Sequence, residues 1–333
     1  MKDFIKKYWI LILIFSLINI PILVICCYRT NKTITLKGDT TIIEKFVEID
    51  REYTEEGSFS SIYVISMDHS TIFQNMIVKD SKVNDLNDIY QGYLHLTDAE
   101  TRQMSKIQHE SSINYTLICA YENAKLVNPE IKFDYKFDHY RIAYYLEGSE
   151  FRIGDKIVGV NGIYAKDDFE TFKELFNNAN SSKDGESEYI VMRDGLKKII
   201  KNTNENMKVS GYSFYTISDS VFPTYKIKTS NVGGPSGGLL QTLALYNSLT
   251  DEDITKGLKI AGTGTIDRSG NVGKIGGITQ KIFTANDDKM DVFLCPKDNY
   301  EEALKAYKTL KNTKMKLYMV ETFSDALEVL KNA

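Results

Sequence analysis

Two kinds of hydrophobic pattern divide the chain. From Tyr8 to Tyr28 it reads YWILILIFSLINIPILVICCY without a single charge. Those 21 residues come close to the ~20 that an α-helix needs to cross about 30 Å of hydrocarbon. Beyond Tyr28, polar residues break the apolar positions into the short periods of amphipathic strands and helices. Lys2, Lys6 and Lys7 precede the apolar run, and Arg29 and Lys32 follow it. The lysine excess on the N-terminal side predicts a cytoplasmic segment over 1–7, a transmembrane helix over 8–28 and the rest of the chain outside. The run exceeds the 7–15-residue core of a cleaved signal peptide and no A-x-A site follows it, so an uncleaved anchor is expected.

Residues 33–125 mix short β-rich pieces, such as SIYVISM at Ser61–Met67, with helix-like stretches. The clearest helix runs from about Thr97 to Tyr121, with Thr97 and Asp98 at its start as capping chemistry. Its apolar residues form no single stripe. Around residue 140 the texture changes to LEGSEFRIGDKIVGVNGIYAKDDFETFKELFNNA (Leu146–Ala179), then ESEYIVMRDGLKKII from Glu186. This predicts a turn at Gly148, a strand at Lys156–Val160, a tight turn at Asn161-Gly162, a helix near Asp168–Phe176 and a hairpin at Asp194-Gly195. Farther on, LLQTLALYNSL (Leu239–Leu249) reads as a helix and KIAGTGTI as a strand. A hairpin turn at Arg268–Asn271 and a helix bearing Lys281 follow.

Length and composition refine this picture. A chain of 333 residues has room for two or three domains of about 100–200 residues each. Charged residues at 26% and hydrophobic ones at 42% are ordinary for a folded chain. Net charge is only −4, with lysines scattered among acids, which excludes the basic field that nucleic-acid binding needs. Cys26 and Cys27 lie in the apolar run, and Cys119 and Cys295 are isolated, so buried thiols are expected there in preference to a disulfide. The four histidines all precede residue 140 and match no metal-binding spacing, so no metal site is expected.

Candidate chemistry sits in NVGGPSGGL (Asn231–Leu239). Ser236 stands where a glycine-rich turn opens a helix. Such a turn bends sharply, and the amides at the helix start point toward negative charge. That suits a nucleophile with an oxyanion site, and it suits a phosphate equally well. No G-x-x-x-x-G-K-[ST] loop is present. A serine nucleophile needs a base, and no histidine follows His139. A lysine serves if burial strips its charge. Lys281, beside a glycine turn and followed by Ile282 and Phe283, is the candidate, while Lys274 keeps the ordinary reading of a solvated lysine.

Taken together, GGPSGG and K-I-A-G-T-G-T-I-D…G-x-V-x-x-I-G-G-I-x-x-K resemble the proteolytic domain of the Lon family. In that family the serine lies in a G-P-S-[AG]-G turn and the lysine closes G-G-[LI]-x-x-K. The resemblance runs on through DVFLCPKDNYEEALKA and VETFSDALEVLK and covers residues 205–333. It implies an α/β (α+β) proteolytic domain with Ser236 as nucleophile and Lys281, 45 positions on, as base. It also implies that Thr263 supports the lysine, and that Gly233, Gly234 and Gly237 shape the turn whose amides form the oxyanion site. Two departures stand out: Gly237 where alanine is common, and Gln280 where glutamate often precedes the lysine.

The phrase at Ile153–Gly162 resembles bacterial PDZ domains, which implies a small β-rich PDZ-like domain over 126–204 that takes an extended peptide in a groove. Anchor, PDZ-like module and peptidase without a nucleotide loop look like the membrane-anchored PDZ–Lon group of Gram-positive bacteria. That resemblance implies an ATP-independent serine endopeptidase at the cell surface, acting on peptides or flexible protein segments, with no cofactor and no nucleotide. Two other readings stay open on the residues: a catalytically inert, membrane-tethered peptide-binding scaffold, and a small-molecule kinase on a related fold. Residues 33–125 are either a separate domain or strands lent to the peptidase around an inserted module. The sequence leaves open whether the chain forms an oligomer.

Overall fold

The apolar N-terminal run forms one helix, α1 (Lys2–Cys27), with Pro21 inside it and Tyr28 just past its end. The computed structural model describes residues 2–43, 47–51, 53, 55–181, 187–202, 209–228 and 233–333. In it the large apolar side chains of α1 from Trp9 to Val24 are exposed. The segment Lys6–Cys27 is long and apolar enough to cross a membrane.

After α1 come β1 (Lys32–Ile42), β2 (Val47–Ile49), β3 (Ser58–Met67), the short helix α2 (Ile72–Val78), β4 (Asp85–Asp88) and the long helix α3 (Asp98–Lys125). A second body of structure follows: β5 (Tyr135–Tyr145), β6 (Lys156–Val160), β7 (Ile163–Tyr164), α4 (Phe169–Ser181), β8 (Ser187–Arg193), β9 (Leu196–Asn202) and β10 (Val209–Ile217). The chain returns through β11 (Tyr225–Ile227) to α5 (Gly238–Leu249), β12 (Lys259–Gly262), β13 (Thr265–Ile266), β14 (Val272–Gly273) and α6 (Ile278–Asp287). It ends with β15 (Val292–Pro296), α7 (Lys297–Tyr307), β16 (Lys316–Val320) and α8 (Phe323–Asn332).

The main sheet has the order β16-β15-β12-β3-β1-β4. Its strands β16, β15, β12 and β3 are parallel, and β1 and β4 extend it antiparallel. Residues 32–88 thus supply three strands to the same sheet as the C-terminal strands, with Ser58–Ser61 paired to Lys259–Gly262. The pairing has a plain cause. Ile260, Ala261 and Gly262 are all buried, so β12 needs a neighbour on each edge, and β15 fills only one.

Side chains on β15 alternate between two cores, Val292 and Leu294 toward α5 and α8, Phe293 and Cys295 toward α6 and α7. That double burial explains why VFLC is apolar throughout. Helix α5 is apolar nearly all round because it is sandwiched between α3 and the sheet strands β3 and β12. Truncating its Leu243, 0% exposed, to alanine would cost about 2–5 kcal/mol. Thr97 caps α3 and Glu100 reciprocates from the third position, a full capping box.

The second sheet runs β10-β5-β6-β8-β9, with β7 paired to β6. Asn161-Gly162 and Asp194-Gly195 both take positive φ, as two-residue hairpin turns require. Phe172, Phe176 and Ala179 of α4 pack on Ile142, Ile157, Tyr189 and Val191. Asp155, 1% exposed, accepts from Arg193 Nε (2.7 Å) and Nη2 (2.6 Å) and from the Arg152 amide (2.9 Å), tying the β8–β9 hairpin to the start of β6.

β10 pairs with β5 from Val209↔Tyr145 to Ile217↔Tyr135, so residues 209–217 lie in this sheet. The proteolytic domain expected over 205–333 includes them, because nothing local marks which sheet a lone strand joins. The expected boundary at 204/205 falls outside the described residues, as do Glu186, Asn231 and Val232. Cys119 and Cys295 are free and buried, and burial pushes both thiols up to about 12.

Candidate active site

Ser236 lies in the turn that opens α5 and is half-buried. One wall of the turn is α3. Gly234 adopts φ +80°, which a side chain would strain. Its amide donates to Ser105 O at 3.1 Å, and its carbonyl lies 3.4 Å from His109 Nδ1. Pro235 O accepts from Ser112 Oγ at 3.2 Å, and Gly238 O lies 3.4 Å from Thr116 Oγ1. Ser105, His109, Ser112 and Thr116 recur at i, i+4, i+7 and i+11, one face of a helix. Gly233 sits against the same face, where an added Cβ would fall 2.4 Å from Ser105 Oγ.

The opposite wall is the end of β12. Thr263 Oγ1 and the Gly264 amide both donate to Ser236 O, at 3.0 and 2.9 Å. Lys281, on the first turn of α6, donates from Nζ to Thr263 Oγ1 at 3.1 Å. The same Nζ stands 3.0 Å from Ser236 Oγ. Thr263 and Lys281 are each 1% exposed. Among the described residues no carboxylate pairs with Lys281, and burial alone lowers its pKa to about 7. Burial thus favours the uncharged amine of this lysine near neutral pH. The amides of Ser236 and Gly237 make no hydrogen bond to any described group.

Both departures from the family pattern have local reasons. A Cβ on Gly237 would lie 3.0 Å from Ser61 Oγ, a tight contact that the serine hydroxyl would have to relieve by a few tenths of an ångström. Gln280 is fully buried and donates from Nε2 to Val83 O at 2.7 Å. A glutamate carboxylate has no proton to give that carbonyl.

All six residues singled out in the sequence, Ser236, Lys281, Thr263, Gly233, Gly234 and Gly237, fall in or beside this turn and its two walls. The four polar residues of α3 were missed, although their spacing was visible in the sequence. They are also the reason that α3 lacks one apolar stripe. One face holds the turn while Ile113, Leu117 and Ala120 pack into a core shared with Leu245 and Leu249 of α5.

A serine 3.0 Å from a buried lysine at a glycine-rich helix start is an arrangement in which the hydroxyl can act as a nucleophile. Residues 229–333 match the family model described as the Lon protease (S16) C-terminal proteolytic domain. The Lon protease of Campylobacter jejuni is 32% identical over 139 residues, 42% of this chain and 17% of that protein. The Lon protease of Campylobacter concisus is 35% identical over 100 residues, 30% of this chain and 12% of that protein. The Lon protease of Chlamydia pneumoniae is 34% identical over 99 residues, 29% of this chain and 11% of that protein. The chain therefore spans less than a fifth of these relatives, with 17% the largest share. Residues 229–333 carry a Lon proteolytic domain, and that similarity supports a serine protease.

Proposed function

We propose that this chain is an ATP-independent serine endopeptidase, tethered by α1 and facing the outside, which cuts peptides or flexible protein segments. The observation that carries the proposal is the 3.0 Å approach of a buried Lys281 Nζ to Ser236 Oγ. Neutral Lys281 takes the Oγ proton as the oxygen attacks a peptide carbonyl carbon, and the carbonyl oxygen becomes an oxyanion beside the Ser236 and Gly237 amides. Lys281, now an ammonium held by Thr263, returns the proton to the leaving nitrogen as the C–N bond breaks. Water then attacks the acyl-serine with the same amine as base, releasing the acid and restoring the hydroxyl.

The β5–β10 sheet has the order of turn, strand, helix and hairpin seen in PDZ domains, which supports strand addition as the mode of substrate capture. Its β10 edge is engaged by α3, where Asn114 Nδ2 donates to Tyr215 O and accepts from the Tyr215 amide at Oδ1, both 3.0 Å. Capture is assigned to the opposite edge, β9, where Leu196 and Ile199 are exposed and an open cavity of about 620 Å³ lies alongside. The lysines at the N-terminal end of α1 support the outward orientation.

The test is hydrolysis of quenched fluorescent peptides by the purified full chain without nucleotide. Ser236→Ala and Lys281→Ala should each abolish turnover while circular dichroism stays that of the parent. Turnover retained by either variant overturns the assignment. Peptide binding without labelling of Ser236 by a fluorophosphonate would leave the inert scaffold, and calorimetric nucleotide binding would favour the kinase.

A further inference from the structure

We propose that α2 lies in the boundary layer of the bilayer entered by α1, so that the folded part of the chain is fixed against the lipid surface and does not swing on a leash. This rests on reading α1 as a membrane span.

No free linker follows α1. The Tyr28 amide continues the helix by donating to Val24 O at 2.8 Å, and Tyr28 O accepts from the Ile72 amide, the first of α2, at 3.3 Å. Arg29 bridges Thr71. The Thr30 amide and hydroxyl both donate to Ser70 O, at 2.9 and 2.8 Å, and Asn75 Nδ2 donates to Thr30 Oγ1 at 2.9 Å. Thr71 and Gln74 close a capping box at the start of α2. The end of the apolar helix and the short helix are thus one hydrogen-bonded unit.

The faces of α2 are sharply different. Val78 is buried in the protein, while Phe73, Met76 and Ile77 are 50%, 64% and 65% exposed. Positions i, i+3 and i+4 form a single stripe about 100° wide. Two tyrosines on the paired segments beyond α1 are exposed: Tyr28, and Tyr90, which follows Ile89, whose amide donates to Asn31 O at 2.9 Å. Tyrosine is the residue that favours the headgroup level, with its ring in the apolar layer and its hydroxyl in water.

An apolar stripe tied within one turn of an apolar span has hydrocarbon as its nearest apolar phase. A second copy of the chain or a substrate protein would have to reach the same ground past the lipid headgroups. The occupant is therefore the bilayer itself, and α2 is a short interfacial helix.

The chain's one tryptophan, Trp9 in α1, makes the test direct. The full chain is reconstituted in phosphatidylcholine vesicles carrying lipids spin-labelled at carbon 5 or carbon 12. Wild-type Trp9 reports on the span. Trp9→Phe with Met76→Trp reports on α2, and Trp9→Phe with Leu196→Trp reports on an exposed site of the second sheet. The expected result is blue-shifted emission at position 76, quenched severalfold more by the carbon-5 label than by the carbon-12 label, with no quenching at position 196. Quenching of Trp9 with a position-76 indole that behaves like the one at 196 overturns the proposal and leaves the span intact. A blue-shifted but unquenched indole at 76 indicates a protein partner and also overturns it. Unquenched Trp9 removes the span itself, and the proposal with it.

Discussion

Thr263 Oγ1 accepts from Lys281 Nζ at 3.1 Å while donating its own proton to the Ser236 carbonyl at 3.0 Å. One hydroxyl thus fixes the amine and the backbone of the serine it faces. Thr263→Val keeps the shape and removes both bonds, so kcat should fall by about 10²-fold with little change in KM. Thr263→Ser should restore most of the rate. Steady-state kinetics on one peptide across the three proteins checks this.

The pH dependence follows from the lysine. Its pKa, lowered to about 7 by burial, makes the amine protonated and inactive in acid. The rate should fall about tenfold per pH unit well below that value and level off above it. A profile flat from pH 5.5 to 8.5 would contradict Lys281 as the base.

Stability should carry the same signature. The folded pKa lies below the unfolded value of about 10.4, so between the two the unfolded chain binds more protons. Over that window wild-type stability rises with pH. Lys281→Met removes the buried amine and should stabilise the fold at pH 7 by about 2–4 kcal/mol. That advantage should shrink toward pH 10, as read by urea denaturation at both values. An advantage independent of pH would show that the lysine is not buried neutral.

Asp155 makes a separable prediction. Asp155→Ala leaves the Arg193 guanidinium and the Arg152 amide without their acceptor inside the module, at a cost of about 3–5 kcal/mol. Limited proteolysis should then cut within 135–217 first, while cleavage of short peptides by the Ser236 site continues. Equal loss of both would mean that module and peptidase unfold together.

Much of this was legible because it is local. Hairpin turns at Asn161-Gly162 and Asp194-Gly195 are written in adjacent residues, and the serine and lysine each sit in a short glycine-marked phrase. What escaped was long-range. Nothing in SIYVISM says that its strand lies beside KIAG, and nothing in VSGYSFYTI says that it closes the sheet begun at Tyr135. The polar face of α3 was hidden differently. His109, Ser112 and Thr116 reach carbonyls of the turn and Ser105 accepts from the Gly234 amide through its own carbonyl, and such bonds to the main chain leave no side-chain motif at the other end.

The pairing of β3 with β12 has a consequence for how the molecule comes into being. The two strands are about 200 residues apart in the chain, and loop closure over that length is slow and entropically costly. The β5–β10 sheet, built from near neighbours, can form while the rest is still being made. Until Lys259 and then Lys281 have emerged, Ser236 lacks the amine that stands 3.0 Å from its Oγ and β3 has no partner on that edge. The arrangement around Ser236 is therefore completed only once β12 and α6 have joined strands made much earlier in the chain.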